Sequence, residues 1–372
     1  MRRRAGLLLG LVGVVAAVVP VPRAAAQYGP SYFYYQGIPY GSQATISPAA
    51  TVLHSGYYSF QIDNRSDVPF ELAYEAGLAN VLANLTNPFA AIGDYGWGRF
   101  FTTEVLPNPS KDGAQWVPNY FGHILGEGLV YRVTFEWYRY HGVANARLFA
   151  ILSMAAGAML NEVVENGTYD GPNVDPIADF YLFNPLGVLV FSSETLARFL
   201  ARDLGLAYWP QQAALDPVSG ALHNMGYRTV FRVHPFRWRV GLFASYGNQG
   251  LAGLSYRVSW RDRLTVGVGV AARELIEVAT DDPGRQLTAD VGPAFGVFFD
   301  RNNSLLASLV ATPEKRDKIV LNVYPGLVGP RGFRPGFTVG WHEEDGLKLA
   351  VHFAGWPIGL AAHTGVAGST KP

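Results

Sequence analysis

The sequence predicts an α+β fold, in which an α-helical segment precedes a C-terminal antiparallel β-barrel of about 10–12 strands. Three observations support this fold class. Apolar and small or polar residues alternate through residues 226–366, stretches with a helical period fill residues 68–210, and residues 1–26 have the pattern of an export signal. A lead-in over residues 27–67, which could include a first barrel strand, completes the predicted division of the chain.

The N-terminus has the three parts of a signal peptide. Arg2–Arg4 form a basic start, residues 5–21 are apolar without a charge, and Ala24–Ala26 supply the small side chains that a signal peptidase requires. The alternative is an uncleaved membrane anchor, but this apolar run is at the short limit for crossing a bilayer. We therefore expect cleavage and a mature chain that begins near Gln27.

The composition excludes several classes of site. The chain has no cysteine, so a disulfide framework, a thiolate metal site and a cysteine nucleophile are excluded. Its formal net charge is zero and only 16% of its residues are charged, which argues against a nucleic-acid partner. The 13% of aromatic residues and the 42 glycines suit a membrane barrel.

The part before the barrel combines a lead-in with helices. Residues 27–45 are rich in Tyr, Gly and Ser and indicate an extended segment, and His54–Asp63 could form one strand. Glycine and proline separate the stretches that follow. We expect these helices to pack on one another and either to plug the barrel or to lie beneath it on the periplasmic side. They are predicted over about residues 68–85, 120–140, 143–165 and 191–204.

The alternation from residue 226 onward predicts about ten strands with one lipid-facing side. Leu264, Val266 and Val268 fall on one face, and Thr265 and Gly267 fall on the other. Aromatic residues stand at the ends of the apolar face, as in the girdles of outer-membrane barrels. The pattern predicts the bacterial outer membrane as location, its lipid as partner and the barrel insertion machinery as a second partner. Side chains expected to face lipid are Trp238, Leu242, Leu254, Val258, Val266 and Leu349, and those expected to face inward are Arg239, Arg257, Thr265 and Lys348.

A few polar residues in the helical part could carry chemistry. His123 and Glu127 are four residues apart, Glu162 and Glu165 are three apart, and Asp179 ends the sequence Asp-Pro-Ile-Ala-Asp. A buried group of this kind can hold a divalent metal or perform acid–base catalysis. The alternative, which we favour, is that these side chains cap helices, pair with arginines or face water. The identity of any cofactor stays open. A second, weaker set of candidates, which alternation could place inside the barrel, is His342, His352 and His363.

The order of these motifs resembles a group of uncharacterised bacterial outer-membrane β-barrel proteins with an N-terminal helical region, a domain of unknown function. The resemblance covers roughly residues 85–202. It implies a location and an architecture, and no activity. The motifs that carry it are Thr-Asn-Pro-Phe (Thr86–Phe89), His-x-x-x-Glu (His123–Glu127), the polar patch Asn161–Gly167, Asp175–Asp179 and Phe-Asn-Pro-Leu-Gly (Phe183–Gly187).

Three functions remain open at this point. The favoured one is a non-enzymatic role in the cell envelope, because it requires no unproven site. The first alternative is a membrane-embedded hydrolase, which could depend on a metal and would act on envelope lipid or lipopolysaccharide. The second is a narrow channel, since a barrel of about ten to twelve strands is too small for a wide pore. The first two functions differ in what they expect of His123, Glu127, Glu162, Glu165 and Asp179: convergence of these residues within a few ångströms in a pocket would favour the enzyme.

Overall fold

The computed structural model describes residues 32–59, 66–109, 115–167, 173–235, 238–277, 287–313, 317–330, 332–342 and 346–364. Within these residues the chain has an α+β fold, with helices first and then one large sheet. The predicted signal peptide and the expected start of the mature chain at Gln27 lie outside the described residues.

Helices occupy most of the described chain before residue 203. Three segments have the wider turns of a π-helix: π1 (Phe101–Val105), π2 (Pro118–Glu127) and π3 (Asp179–Phe183). Short 3₁₀ helices cover Gly41–Thr45 and Pro69–Glu71. The predicted helices are confirmed, and further short helices stand where a loop was expected after residue 87. The α-helices are α1 (Pro48–Gly56), α2 (Tyr74–Thr86), α3 (Pro88–Tyr95), α4 (Trp97–Phe100), α5 (Gly128–Tyr140), α6 (Ala146–Glu165), α7 (Asp175–Ala178), α8 (Asn184–Ser192) and α9 (Glu194–Arg202).

Helix α1 stands where the sequence suggested a first barrel strand. It includes the beginning of the stretch His54–Asp63, of which residues 60–63 lie outside the described residues. The helix begins here because the Ser47 hydroxyl accepts a hydrogen bond from the Ala50 N–H (3.2 Å), and because Pro48 suits the first helical turn. The predicted strand is therefore wrong over residues 54–56.

The second half of the described chain forms a 13-stranded sheet. The ten strands from β4 onward confirm the strands that alternation predicted. The three preceding strands are short and were not predicted. The strands are β1 (Ala207–Pro210), β2 (Ala214–Leu215), β3 (Leu222–His223), β4 (Tyr227–Val233), β5 (Val240–Tyr246), β6 (Gln249–Arg257), β7 (Asp262–Glu277), β8 (Leu287–Arg301), β9 (Ser304–Ala311), β10 (Ile319–Val323), β11 (Gly336–His342), β12 (Gly346–His352) and β13 (Gly359–His363).

The sheet curls into a half-barrel, whereas the sequence predicted a closed barrel. Its hydrogen-bonded order runs from β1 to β4, on through β13, and then to β2 and β3. Neighbouring strands are antiparallel except β13 and β2, which are parallel and pair Gly359 with Ala214. The Gln211 N–H, just after β1, donates to the carbonyl of Gly226 (2.9 Å), just before β4. The ends of the sheet are therefore linked by the chain itself rather than by a continuous ladder.

Side chains of the sheet alternate between an exposed apolar face and a buried face. Leu242 and Leu254 are 61% and 55% exposed, whereas Thr265 is fully buried. The side chains predicted to face lipid are all exposed, and Lys348 is buried as predicted. Arg239 was expected to face inward but is exposed, because it precedes β5 and lies outside the paired region.

The buried face of the sheet is packed rather than open. Trp209, Phe243 and Phe298 form an aromatic cluster there, with ring centroids 5.6 and 5.7 Å apart for the pairs that include Phe298. Ion pairs share this interior, among them the Arg232 guanidinium with Asp300 and the Lys348 ammonium with Asp317 (3.4 Å). A cavity of about 20 Å³ beside Arg228 and Gln249 has room for roughly one water molecule.

The helices cover the outer face of the sheet at its two ends. Phe231 of β4 pairs with Ala244, which is exposed, so Phe231 points outward, and it packs against the core of α5. At the other end Leu215 of β2 pairs with the exposed Leu360 and packs near Val164 of α6. Both ends of the sheet thus rest on helices.

The lead-in is fixed to α5 by one buried carboxylate. Glu136 Oε2 accepts hydrogen bonds from the N–H groups of Phe33, Tyr34 and Tyr35 at 3.0, 2.7 and 2.8 Å. Its Oε1 accepts one from Arg132 Nε at 2.7 Å. The lead-in is therefore attached to the helical layer at residues 33–35.

Candidate functional site

The three π-helical segments each supply a titratable side chain to one region of the helical layer. Glu104 belongs to π1, His123 to π2 and Asp179 is the first residue of π3. Helix α8 approaches π2 closely at Gly187, where a Cβ atom would lie 2.9 Å from the carbonyl oxygens of His123 and Ile124. π-Helical turns are rare in proteins and are frequent at functional sites.

Five acidic residues meet in this region, and we call them the acid cluster: Glu104, Glu162, Glu165, Asp175 and Asp179. One carboxylate oxygen from each of Glu162, Asp175 and Asp179 lies within 4.8 Å of the others. Glu162 and Asp179 are buried, with exposed fractions of 2% and 1%, and Asp175 is half-buried. The cluster therefore reaches the surface on the side of Asp175.

Electrostatics in the acid cluster disfavour ionisation. Burial, followed by the charges of Asp175, Glu162, Glu104 and Glu165, raises the pKa of Asp179 well above its usual range. Burial also raises the pKa of Glu104 to about 7, although hydrogen bonds from Thr103 and Asn119 act in the opposite direction. Carboxyl groups are thus concentrated here in a place with little solvent, where each disfavours the ionisation of the others.

His123 lies between the acid cluster and Asn184. Its Nε2 lies 3.2 Å from Asp179 Oδ2, and its Nδ1 lies 3.1 Å from the side-chain oxygen of Asn184. Burial lowers the pKa of His123 to about 4, so its ring is neutral near pH 7. With Asn184 accepting the Nδ1 proton, the Nε2 lone pair is directed at Asp179.

A chain of asparagine amides surrounds Glu162. Asn166 Nδ2 donates to Glu162 Oε2 (3.3 Å), and Asn173 Nδ2 donates to Asn166 Oδ1 (2.7 Å). The Asn173 N–H donates in turn to Asn84 Oδ1 of α2 (3.0 Å). Amides connected in this way fix the orientation of a carboxylate that they do not neutralise.

The structure brings together four of the five residues that the sequence singled out. Asp179 lies close to both His123 and Glu162, and Glu165 lies near enough for its charge to raise the pKa of Asp179. Glu127 lies elsewhere and accepts a hydrogen bond from Tyr227 of β4 (3.2 Å). Although the two side chains are four residues apart in π2, His123 contacts Asn184 and Asp179, whereas Glu127 contacts the sheet.

Two histidines of the last strands, His352 and His363, form hydrogen bonds with other residues of the sheet half. His352 Nε2 is hydrogen-bonded to Thr338 Oγ1 (2.9 Å) inside the sheet. His363 Nδ1 lies 2.6 Å from Asp216 Oδ2 in the turn between β2 and β3. They do not converge with each other, so they offer no second site.

Sequence reasoning missed Glu104 and the asparagine amides, and it named Asp175 only as a neighbour of Asp179. Glu104 lies in a stretch with several glycines that suggested a loop, and no local spacing connects it to the other acids. Asp175 carried a usable signal, since it is four residues before Asp179 across the start of a helix.

Comparisons of this chain with protein-family models, with curated proteins and with solved structures found no match. The resemblance to outer-membrane proteins therefore depends on the residue pattern alone.

Proposed function

We propose that this chain is an outer-membrane protein of the bacterial cell envelope, in which the outer face of the half-barrel and of the helical layer contacts lipid, and that its role is non-enzymatic. The observation that carries the proposal is the apolar outer face of β5–β13. Soluble monomers rarely expose a continuous apolar surface of more than a few hundred Å². The exposed large apolar side chains of this face are Val240, Leu242, Leu254, Tyr256, Leu264, Val266, Val268, Val270, Val291, Phe295, Leu309, Ile319, Leu321, Phe337, Trp341, Leu347, Leu349 and Leu360.

The distribution of aromatic residues supports lipid rather than a protein partner. Trp238, Tyr256 and Trp260 stand at one rim of the sheet and are 63%, 42% and 78% exposed. Trp341 stands at the opposite rim and is 44% exposed. Aromatic residues at both rims with aliphatic residues between them match the depth profile of a bilayer. A protein partner would instead need a compact patch.

The helical layer extends the same apolar surface. Helix α6 is long and apolar enough, by length and composition, to cross a membrane, and 44% of its most apolar window is buried in the protein. Its outward side chains Leu148 and Leu152 are 54% and 53% exposed. The packed interior of the half-barrel, with its aromatic cluster and ion pairs, gives no support to the channel alternative.

Single cysteines test this proposal, because the chain has none of its own. Leu254→Cys samples the outer face, Val218→Cys samples a turn where the side chain is 84% exposed, and Ser255→Cys samples the buried face. Each variant is expressed in a Gram-negative host, its membranes are fractionated, and it is then reconstituted in vesicles. A water-soluble maleimide and a bilayer-soluble maleimide fluorophore are compared, with nitroxide lipids as quencher.

We expect recovery in the outer-membrane fraction. The cysteine introduced at residue 254 should resist the water-soluble reagent and react with the fluorophore, whose emission the nitroxide lipids should quench. The variant at residue 218 should react with the water-soluble reagent, and the one at residue 255 with neither. Recovery of the wild type in a soluble fraction, or equal water-phase labelling at residues 254 and 218, would refute the proposal.

A further inference from the structure

We propose that Glu162, Asp175 and Asp179 form a binding site for one divalent cation that prefers oxygen ligands. The three residues come from the end of α6, the start of α7 and the start of π3. Their carboxylate oxygens lie within 4.8 Å of one another. The inference concerns the helical layer and does not depend on where the protein resides.

Asp179 is the residue that points to a ligand. It is 1% exposed, and neither of its carboxylate oxygens accepts a hydrogen bond from the residues that the structure describes. Buried carboxylates are normally satisfied by several donors, because an unmet acceptor costs the free energy of its desolvation. A cation between the three carboxylates supplies the missing partner for Asp179 and offsets the repulsion among the three charges.

The spacing of the oxygens suits a cation. Ligands about 2.1–2.4 Å from a metal in octahedral geometry are about 3.0–3.4 Å apart when adjacent and about 4.2–4.8 Å apart when opposite. The three oxygens within 4.8 Å therefore need little movement to share one ion.

The surroundings support coordination by oxygen. Asn166 Nδ2 donates to Glu162 Oε2 (3.3 Å) and so orients this carboxylate, as outer partners of metal ligands do. Three carboxylates favour Mg²⁺, Mn²⁺ or Ca²⁺ over metals that prefer sulfur or several nitrogens.

Mn²⁺ is the probe for this site, because free Mn²⁺ is measured directly by electron paramagnetic resonance. The mature protein is purified folded in detergent, treated with chelator and titrated with Mn²⁺. The variants are Asp179→Asn and, as a matched control, Asp262→Asn, which removes the same charge from a surface pair with Arg301 on the sheet. Asp175→Asn is a second test, since this half-buried residue is the one whose change should least affect folding.

We expect the wild type and Asp262→Asn to bind one Mn²⁺ per chain, which Ca²⁺ or Mg²⁺ displaces. Asp179→Asn and Asp175→Asn should lose at least about tenfold in affinity. The melting temperature of the wild type should rise with Mn²⁺, and that of each folded site variant should not. If the folded wild type binds no stoichiometric Mn²⁺, or if the site variants bind it as tightly as Asp262→Asn, the site does not exist.

Discussion

Replacing Glu127 with glutamine should remove one specific part of the pH dependence of stability. Glu127 is buried under Tyr227 of β4, and burial raises the pKa of its carboxyl to about 7, against hydrogen bonds from Ser55 and Tyr227 that lower it. The folded state therefore binds this proton more tightly than the unfolded state does. The stabilisation is complete below about pH 4.5 and is lost as the pH rises through about 7.

The size of this change in unfolding free energy follows from the shift in the pKa of Glu127. A rise in the pKa of Glu127 from 4.5 to about 7 corresponds to about 3 kcal/mol of free energy, at about 1.4 kcal/mol for each pKa unit. Other buried acids also titrate, but they are common to both proteins and cancel in the difference between wild type and variant. Compared with Glu127→Gln, the wild type should thus lose up to about 3 kcal/mol of unfolding free energy between pH 4.5 and pH 8.

The measurement is urea unfolding in one detergent at a series of pH values, followed by the fluorescence of the eight tryptophans. Glu75→Gln, at an exposed position in the first turn of α2, is the matched control for the change in net charge. If the difference between wild type and Glu127→Gln stays constant across this pH range, Glu127 is not a buried acid of raised pKa and the packing of π2 on β4 is incorrect.

Three further predictions concern packing and environment. Glu136→Gln breaks the buried pair with Arg132 and should lower the unfolding free energy by about 3–5 kcal/mol, with faster proteolysis in residues 32–47. Glu194→Gln, whose side chain is 39% exposed, should lower it by only about 0–1 kcal/mol. Gly187→Ala should separate α8 from π2 and destabilise the protein by about 1–3 kcal/mol. Gly93→Ala should stabilise it by about 0.5–1 kcal/mol, because a Cβ atom at residue 93 meets nothing within 4 Å. Equal shifts in the melting temperatures of the two variants would contradict the contact between α8 and π2. Leu254→Arg should cost about 2–4 kcal/mol in lipid vesicles, measured by urea unfolding, and an unchanged midpoint would argue against lipid at that face.

The sequence was sufficient for the features that depend on local periodicity. The strands β4–β13 followed from alternation, because a sheet with one apolar face forces every second side chain outward. Helix α9 lies within the helix predicted over about residues 191–204, and it begins where the Ser193 hydroxyl accepts from the Leu196 N–H (3.4 Å). Both features depend on residues that are close to one another in the sequence.

The features that were missed depend on distant contacts or on overlooked local signals. The strands β2 and β3 have two residues each and exist because β13 pairs with β2 across the chain, so no alternation could reveal them. Helix α1 was mistaken for a strand although Ser47 and Pro48 form a recognisable helix start. The separation of Glu127 from His123 depends on tertiary packing, since Glu127 accepts from Tyr227 of β4 and His123 lies against Asp179 of π3.

The pairing of early with late residues constrains how the chain is assembled. The Gly41 N–H donates to the Pro325 carbonyl (2.7 Å), and the Leu305 N–H donates to the Ser42 hydroxyl (3.0 Å). The lead-in is synthesised first, but its partners at residues 305 and 325 are synthesised late. The lead-in therefore cannot form these hydrogen bonds until most of the sheet has been synthesised. Contacts so distant in sequence make folding slow and leave apolar strands unprotected meanwhile. A chain cut before β13 would lack the partner of β2, and its unpaired apolar strands would favour aggregation.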